Sequence, residues 1–326
     1  MSNSCQNPVL ATRHSNPPLD TSNAVSRRPV SVVGLFLVCA LLLSSQNKRL
    51  NCFVHLLNIR IFVCKSTKIN LYMPLVKPKK FLGQHFLTDL SIARRIADTV
   101  DVCPDLPVLE VGPGMGVMTQ YLMQKPRPLK VVELDSESVE YLRRTYPDFE
   151  DNIIADDFLK MHLDRTFDGG KFVLTGNYPY NISSQIFFKM LDFKDYIPCC
   201  TGMIQKEVAE RLAAKPGTKA FGIITVLIQL WYDVEYLFTV PPGVFNPPPK
   251  VHSAVICMRR NGVTDPGCDV ALLTRIVKQS FQQRRKMLRG SLKGLIPDGH
   301  EFGALRPEQL SVAQFVQLTN DIAASR

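Results

Sequence analysis

The chain has 326 residues, of which 45% are hydrophobic and 21% charged, and its formal net charge at pH 7 is +10. This composition excludes general disorder, and the length suits one large α/β domain with a smaller appended domain. The nine cysteines form neither a C-x-x-C pair nor a Cys/His cluster with zinc spacing, so we expect reduced thiols, as in a cytoplasmic protein, and no metal.

The positive charge is concentrated at the two ends of the chain. Residues 1–72 contain eight Lys or Arg and one acid, whereas residues 250–296 contain ten Lys or Arg and two acids. The basic segment at residues 250–296 favours contact with a polyanion, although a solvated helix face is the alternative.

The first 72 residues are unlike the remainder. Residues 30–43 form an apolar run of 14 residues, which is shorter than the roughly 20 residues that span a membrane, and no convincing A-x-A cleavage site follows. Met73 is a plausible initiator, so we interpret residues 1–72 as upstream sequence and expect no membrane association. A mitochondrial transit peptide is the alternative.

From residue 88 onward, helical and strand patterns alternate. Thr88 or Asp89 can cap a helix with an apolar face that ends at Val100. Strands are predicted at residues 107–111, 130–134, 153–156, 172–177 and 201–205, and helices at 117–123, 136–146 and 183–191. This alternation predicts a doubly wound, mostly parallel α/β sheet that binds ligands at the carboxyl ends of its strands.

The pattern changes near the C-terminus. Residues 231–240 and 251–259 are predicted to form a β pair around the proline-rich segment 241–249. After Gly262 the chain is predicted to be helical to its end. We therefore divide the interpretable chain into a catalytic domain at residues 73–260 and a small all-helical domain at residues 261–326.

The glycine-rich segment E-V-G-P-G-M-G at residues 110–116 joins the first strand to a helix. Its G-x-G-x-G spacing differs from the dinucleotide fingerprint G-x-G-x-x-G. Gly112 and Gly114 let the backbone turn tightly and lie close to a nucleoside. This loop is typical of class I methyltransferases, which use S-adenosylmethionine, although a generic turn is the alternative.

Two acidic segments follow at the ends of the next strands. Glu133 lies 21 residues after Gly112, which suits an acid that accepts hydrogen bonds from ribose hydroxyls. Because Asp135 lies only two residues further on, the sequence leaves open whether Glu133 or Asp135 has this role. Of Asp156 and Asp157, one acid can accept from the adenine amine of the cofactor, unless the pair only caps a turn.

The sequence Asn177-Tyr178-Pro179-Tyr180 leaves the fourth strand and indicates the reaction. An adenine amine is a weak nucleophile because its lone pair is delocalised. The Asn177 side-chain oxygen and the carbonyl of Tyr178 can hold both N–H groups, while Pro179 stiffens the turn. Tyr180 offers an aromatic face for a flipped base. A type I turn with a core tyrosine is the alternative.

Basic residues on two segments suit contact with an RNA backbone. The residues are Lys79 and Lys80 near the start of the interpretable chain, and Arg284, Arg285, Lys286 and Arg289 in the C-terminal region.

Several ordered segments make the chain resemble the ribosomal small-subunit RNA adenine dimethyltransferase family, over roughly residues 78–318. The matching segments are KFLGQHFL at 80–87, the loop at 110–116, VELD at 132–135, GNYPYNIS at 176–183, QKEVA at 205–209, FNPPPKV at 245–251 and FQQRRK at 281–286. Two positions depart from the common pattern: His85 stands where Asn is frequent, and Tyr178 where Pro is common in adenine methyltransferases.

The resemblance implies cofactor contacts, a substrate and a cellular role. The implied contacts with S-adenosylmethionine are His85, Leu87, Gly112, Glu133, Asp157 and Asn177. The implied substrate is a pair of adjacent adenosines near the 3′ end of 16S rRNA in a partly assembled small subunit, and we expect a cytoplasmic monomer. The alternatives are a resistance methylase that acts on large-subunit RNA, a protein-glutamine methyltransferase, and a non-enzymatic ribosome-assembly or transcription factor.

Overall fold

The computed structural model describes residues 76–79 and 82–325. The predictions for residues 1–72 and the RNA contact predicted for Lys80 therefore lie outside the described residues. All described residues belong to one compact unit. No helix in these two ranges is long and apolar enough to cross a bilayer.

Nine strands and nine α-helices make up this unit. The strands are β1 (Phe86–Leu87), β2 (Val108–Val111), β3 (Leu129–Glu133), β4 (Ile153–Ala155), β5 (Val173–Gly176), β6 (Cys199–Gln205), β7 (Tyr232–Val240), β8 (Phe245–Asn246) and β9 (Ser253–Arg260). The helices are α1 (Leu90–Asp98), α2 (Thr119–Leu122), α3 (Ser136–Thr145), α4 (Ser183–Asp192), α5 (Lys206–Leu212), α6 (Ile223–Gln229), α7 (Val270–Gln282), α8 (Leu288–Ser291) and α9 (Val312–Ala324). These counts refer to the described part of the chain.

Seven of the strands form one sheet in the order β4-β3-β2-β5-β6-β9-β7. The first five pair in parallel, and β9 runs antiparallel to both of its neighbours. The predicted α/β class and the predicted pairing of the last two long strands are confirmed. After β2 the chain continues to strands on one side of the sheet, and after β5 it continues to strands on the other side. A crevice for a ligand therefore opens where β2 and β5 end.

Helix α1 begins where the sequence predicts it. The Asp89 side chain accepts hydrogen bonds from the backbone N–H groups of Ser91 at 2.9 Å and Ile92 at 3.2 Å, which satisfies two of the free donors at the helix start. Ala93 and Ile96 on its apolar face are fully buried. They pack with residues of β2, β3 and β9 in a cluster on one face of the sheet.

Two helices between β6 and β7 were missed by the sequence reasoning. Residues of α6 are mostly apolar and β-branched, a composition that favours a strand when it is judged locally. The segment is a helix because it is buried among other elements, with Val226 and Ile228 fully enclosed, and a helix that is buried on most sides carries no amphipathic signal. The two-residue pairing of β1 with β8 was also missed.

The prediction that the chain is helical from Gly262 to its end is wrong for residues 263–269 and 283–287 and for most of residues 292–311. Between α8 and α9 only a short 3₁₀ helix, Pro307–Gln309, is present. Gly294 and Gly299 have positive φ angles of 79° and 74°, a conformation that glycine adopts without strain and that ends a helix. Two prolines in this segment also remove helical donors.

The C-terminal helices share a hydrophobic cluster with the second face of the sheet. Leu174 and Ile256 of the sheet belong to the same buried cluster as Ile276 of α7 and Phe315 and Leu318 of α9. This apolar cluster includes residues from both sides of residue 260. The division into two domains at that residue stays a prediction.

Candidate active site

A cavity of about 330 Å³ lies at the carboxyl ends of the parallel strands. Residues from six separate segments of the chain line it, and they include every residue that the sequence predicted for catalysis or cofactor binding. These are His85, Leu87, Gly112, Gly114, Glu133, Asp157, Asn177, Tyr178, Pro179 and Tyr180. The fold therefore brings the predicted residues together, while the individual role of each stays a prediction.

The glycine loop forms one wall of this cavity. Gly112 and Gly114 have φ angles of 68° and 56°, in the left-handed region that glycine tolerates best. A Cβ atom on Gly112 would meet no neighbour closer than Pro179 Cδ at 4.0 Å, whereas one on Gly114 would lie 3.0 Å from Phe86 Cε1. The open space beside Gly112 allows a ligand to lie directly against the backbone, as S-adenosylmethionine would require.

Glu133 is fixed by backbone groups at the end of β3. Its two carboxylate oxygens accept hydrogen bonds from the N–H groups of Gly114 at 3.0 Å and Asp135 at 2.9 Å. Burial raises the pKa of Glu133, and these backbone hydrogen bonds oppose the rise. Each oxygen keeps a second lone pair that can accept from a hydroxyl group. The carboxylate therefore has the acceptors that a ribose diol needs.

Asp135 has a different environment from Glu133. Its carboxylate forms an ion pair with Lys79 and accepts a hydrogen bond from Ser138 Oγ at 2.9 Å. Lys79 also approaches Glu137 at 3.1 Å. Asp135 is thus occupied within the protein, which favours Glu133 as the ribose acceptor. Lys79, predicted to contact RNA, is paired with two acids in this structure.

The segments after β3 and β4 supply an acid and two apolar side chains to the cavity. Asp157 Oδ1 accepts a hydrogen bond from the N–H of Leu159 at 3.0 Å. Phe158 is buried, whereas Leu134, after β3, is 58% exposed although it lines the cavity. An exposed leucine at a cavity edge is suited to cover the face of a purine ring. No role for Leu134 was predicted from the sequence, although an apolar residue between two acids is a signal that could have indicated one.

Asn177 leaves β5 beside the glycine loop. Its strand neighbour Gly176 is in register with Val111 of β2, so the two functional segments emerge from adjacent strands. Asn177 Nδ2 donates a hydrogen bond to the carbonyl oxygen of His85 at 3.2 Å. No group in the described ranges donates to Asn177 Oδ1. The amide is therefore oriented with its acceptor atom free, which is the orientation that an amine substrate requires.

The side chain of Tyr178 points into the core rather than into the cavity. Its ring is 1% exposed, and its hydroxyl donates to the carbonyl oxygen of Thr201 at 2.8 Å. A Cβ atom on Gly202 would lie 2.7 Å from Tyr178 Cε2, so glycine at this position makes room for the ring. The ring anchors the turn, and the Tyr178 carbonyl accepts no hydrogen bond from the described residues.

Tyr180, at the end of the segment 177–180, forms a stacked pair with His85. Their ring centroids are 5.5 Å apart with an interplanar angle of 28°. The Tyr180 hydroxyl hydrogen-bonds Ser253 Oγ, and His85 Nδ1 lies 2.8 Å from the carbonyl oxygen of Pro247. Burial raises the pKa of Tyr180, so the phenol stays neutral near pH 7.

Glu110 is a buried acid to which the sequence reasoning assigned no role. It lines the cavity from within β2 and accepts a hydrogen bond from Thr119 Oγ1 at 2.7 Å. Its pKa is raised to about 8: burial is the main cause, the hydrogen bond from Thr119 opposes the rise, and the nearby Glu133 carboxylate adds to it. A carboxyl group that is largely protonated at pH 7 therefore lies beneath the glycine loop.

The predicted basic segment, residues 284–289, begins in the turn after α7 and ends within α8, which contains Arg289. Arg285, Lys286 and Arg289 are exposed and form no ion pair with another described residue. Arg284 approaches Glu308 at 3.8 Å and donates to the carbonyl oxygen of Thr218 at 3.3 Å. Three of the four predicted cations are therefore free to face an external polyanion, and Arg284 is partly neutralised.

The doubly wound sheet, the glycine loop, the acid that ends β3 and the Asn177 segment together define a class I methyltransferase that uses S-adenosylmethionine as methyl donor. A family model described as ribosomal RNA adenine dimethylase matches residues 76–322. The chain belongs to this family. It is an enzyme that dimethylates adenine in ribosomal RNA.

Individual relatives agree with the family assignment. A ribosomal RNA small subunit methyltransferase A from Phocaeicola vulgatus is 67% identical over 258 residues, which cover 78% of this chain and 92% of that protein. The protein of the same name from Bacteroides fragilis is 68% identical over 255 residues, which cover 77% of this chain and 94% of that protein.

Solved structures share the fold. A dimethyladenosine transferase from Plasmodium falciparum superimposes with a TM-score of 0.63 at 23% identity and covers 74% of this chain and 98% of its own. The 23S rRNA methyltransferase ErmE gives a TM-score of 0.56 at 27% identity and covers 72% of this chain and 99% of its own.

Proposed function

We propose that this enzyme dimethylates the exocyclic amines of two adjacent adenosines in the 3′-terminal hairpin of 16S rRNA, within an assembling small ribosomal subunit. The small-subunit substrate is supported by relatives that are named ribosomal RNA small subunit methyltransferase A. The region that matches this chain covers more than nine-tenths of each of these proteins. We further propose that it acts as a monomer in the cytoplasm. The transit-peptide alternative concerns residues outside the described ranges.

One observation carries the chemistry: Asn177 emerges beside the glycine loop, and among the described residues nothing donates a hydrogen bond to its Oδ1 atom or to the neighbouring carbonyl of Tyr178. Two acceptors so placed can each take one N–H of an exocyclic amine. Positive charge develops on that nitrogen as it attacks, so both acceptors bind the transition state more strongly than the ground state.

The residues that line the cavity fit S-adenosylmethionine. Glu133 offers lone pairs for ribose hydroxyls, Asp157 offers a carboxylate for an adenine amine, and the open space beside Gly112 admits a ligand against the backbone. When bound, this cofactor supplies a methyl group on an electron-poor sulfonium. The proton lost by the methylated amine is strongly acidic, so water can accept it without a side-chain base.

The alternatives differ in their acceptor. The free cations Arg285, Lys286 and Arg289 favour a polyanionic substrate over a protein glutamine. The intact buried Glu133 and the oriented Asn177 favour catalysis over a purely structural assembly factor. A large-subunit RNA substrate is distinguished only by the identity of the modified nucleotides.

The experiment is methylation of small subunits purified from a strain that lacks the endogenous enzyme. With S-adenosylmethionine, the purified protein should add four methyl groups per particle, two on each of two adjacent adenosines, as mapped by primer extension and mass spectrometry. Large subunits are the matched control. Methylation of large-subunit RNA instead, or of protein glutamine, would overturn the proposed substrate.

A further inference from the structure

The segment from β8 to the first residue of β9 reaches back to the side of the cavity that holds His85 and Tyr180 at three points. Strand β8 pairs with β1, which places Asn246 opposite Phe86. The carbonyl of Pro247 contacts the His85 ring, and Ser253 contacts the Tyr180 hydroxyl. A segment remote in sequence therefore determines the surroundings of the two aromatic side chains beside Asn177.

The His85 ring is held in one orientation. A carbonyl oxygen only accepts hydrogen bonds, so Nδ1 carries the proton in the contact with Pro247 at 2.8 Å. The backbone carbonyl of the same residue accepts from Asn177 Nδ2. His85 thus orients the Asn177 amide through its backbone and lies against Tyr180 through its ring at 5.5 Å.

Ser253 provides a rigid attachment for the Tyr180 hydroxyl. It is the first residue of β9, has no exposed surface, and pairs with Gln205 on one side and Val240 on the other. It is not among the residues that line the cavity. Its hydroxyl can therefore affect a bound base only through Tyr180.

We infer that Ser253 is a positioning residue for the target adenine: with the His85 ring, it fixes the plane of Tyr180 at both the hydroxyl and one ring face. This inference rests on the proposed function, in which Tyr180 borders the acceptor base. Small angular errors at an attacking amine slow transfer strongly. A ring held at two points presents the same surface to each base that enters.

The test is a double-mutant cycle of Ser253→Ala and Tyr180→Phe, with single-turnover methyl transfer to small subunits measured at saturating substrates. Loss of one hydrogen bond that acts only through Tyr180 should slow transfer about fivefold in either single variant. The double variant should be no slower than Tyr180→Phe alone. Affinity for S-adenosylhomocysteine, measured by calorimetry, should stay within about twofold of wild type.

Ser280→Ala is the matched control, because Ser280 is an equally buried hydroxyl in α7 with no hydrogen-bond partner among the described residues. It should transfer methyl groups at the wild-type rate. Unchanged transfer by Ser253→Ala, or equal slowing by Ser253→Ala in both Tyr180 backgrounds, would overturn the positioning role. If Ser253→Ala fails to fold, Tyr180→Phe breaks the same bond from the cavity side, and an unslowed rate in that variant overturns the role equally.

Failure of the proposed substrate has a different signature. Wild-type protein would then leave small subunits unmodified while methylating another acceptor, and the same cycle would be measured on that acceptor.

Discussion

The Glu133 carboxylate is held by two backbone N–H groups, one from the glycine loop and one from its own turn. Such contacts fix the carboxylate before any ligand arrives, so little ordering entropy remains to be lost on binding. They also keep the charged form accessible despite burial. A buried acid of this kind is suited to accept hydrogen bonds from neutral hydroxyl groups, rather than to bind a metal ion or to donate a proton in catalysis.

Replacing Glu133 with Ala should weaken cofactor binding about tenfold to a hundredfold, because two charge-assisted hydrogen bonds are lost. Calorimetric titration with S-adenosylhomocysteine measures this directly. Glu150→Ala, which removes an exposed acid whose ion-pair partner among the described residues is Arg143, is the control and should leave the dissociation constant unchanged. An unchanged constant for the Glu133 variant would reassign the ribose contact to another acid.

At the scale of elements, the site exists because β2 and β5 are neighbours whose chains diverge. Parallel pairing places the ends of both strands at one edge of the sheet, with Val111 opposite Gly176. The glycine loop and the Asn177 turn then face a common crevice, although about 65 residues of chain separate them. The basic segment at residues 284–289 is a second element whose charges can be tested independently.

Reversing the charge of both Arg285 and Arg289 to Glu should weaken RNA binding mainly at low salt. If each contacts one phosphate, the slope of log affinity against log salt should fall by about two. Filter binding or anisotropy across a salt series measures the slope.

Lys171→Glu is the matched control for this prediction. Lys171 is exposed and lies just before β5, at the edge of the sheet opposite the cavity. Its reversal should leave both affinity and slope near wild type. If the double reversal at Arg285 and Arg289 behaved like this control, the basic segment would be only a solvated surface.

For the whole molecule, the strand–helix alternation predicted the parallel sheet because each buried strand is a short apolar run that ends in a polar turn. The elements that differ depend on tertiary context. Helix α6 was missed because β-branched residues favour strands unless burial decides otherwise. The turns at residues 292–311 were mistaken for helix because nearby apolar residues suggested a continuing stripe.

The candidate site was largely predictable for the same reason: its motifs directly follow strands. What could not be predicted were contacts between remote segments. Tyr180 and Ser253 are 73 residues apart in sequence, and nothing local in either segment signals the contact. Glu110 was read only as the start of the glycine loop, and its complete burial emerges only when β3 and β5 flank β2.

The buried Glu110 should make the stability of the cofactor-free protein depend on pH. Folding raises its pKa from 4.5 to about 8, so between these values the folded protein retains a proton that the unfolded chain has released. Stability is therefore highest below about pH 4.5 for this group and falls as pH rises, by up to about 1.4 kcal/mol per unit, until about pH 8.

Glu110→Gln removes this titration and should become more stabilising relative to wild type as pH rises from 5 to 8. Denaturant unfolding at several pH values measures the difference in unfolding free energy. Glu150→Gln, on the surface, should show no such trend. A difference between Glu110→Gln and wild type that does not change with pH would show that Glu110 is not protonated in the folded state.

We propose that Asn177 Oδ1 and the neighbouring carbonyl hold the target amine, and single-turnover methyl transfer by Asn177→Ala measures what this contact contributes. Transfer by this variant should be at least about a hundredfold slower than by wild type, because a transition-state acceptor is lost, with S-adenosylhomocysteine binding weakened but measurable by calorimetry. Near-normal dimethylation of small subunits by Asn177→Ala would contradict it.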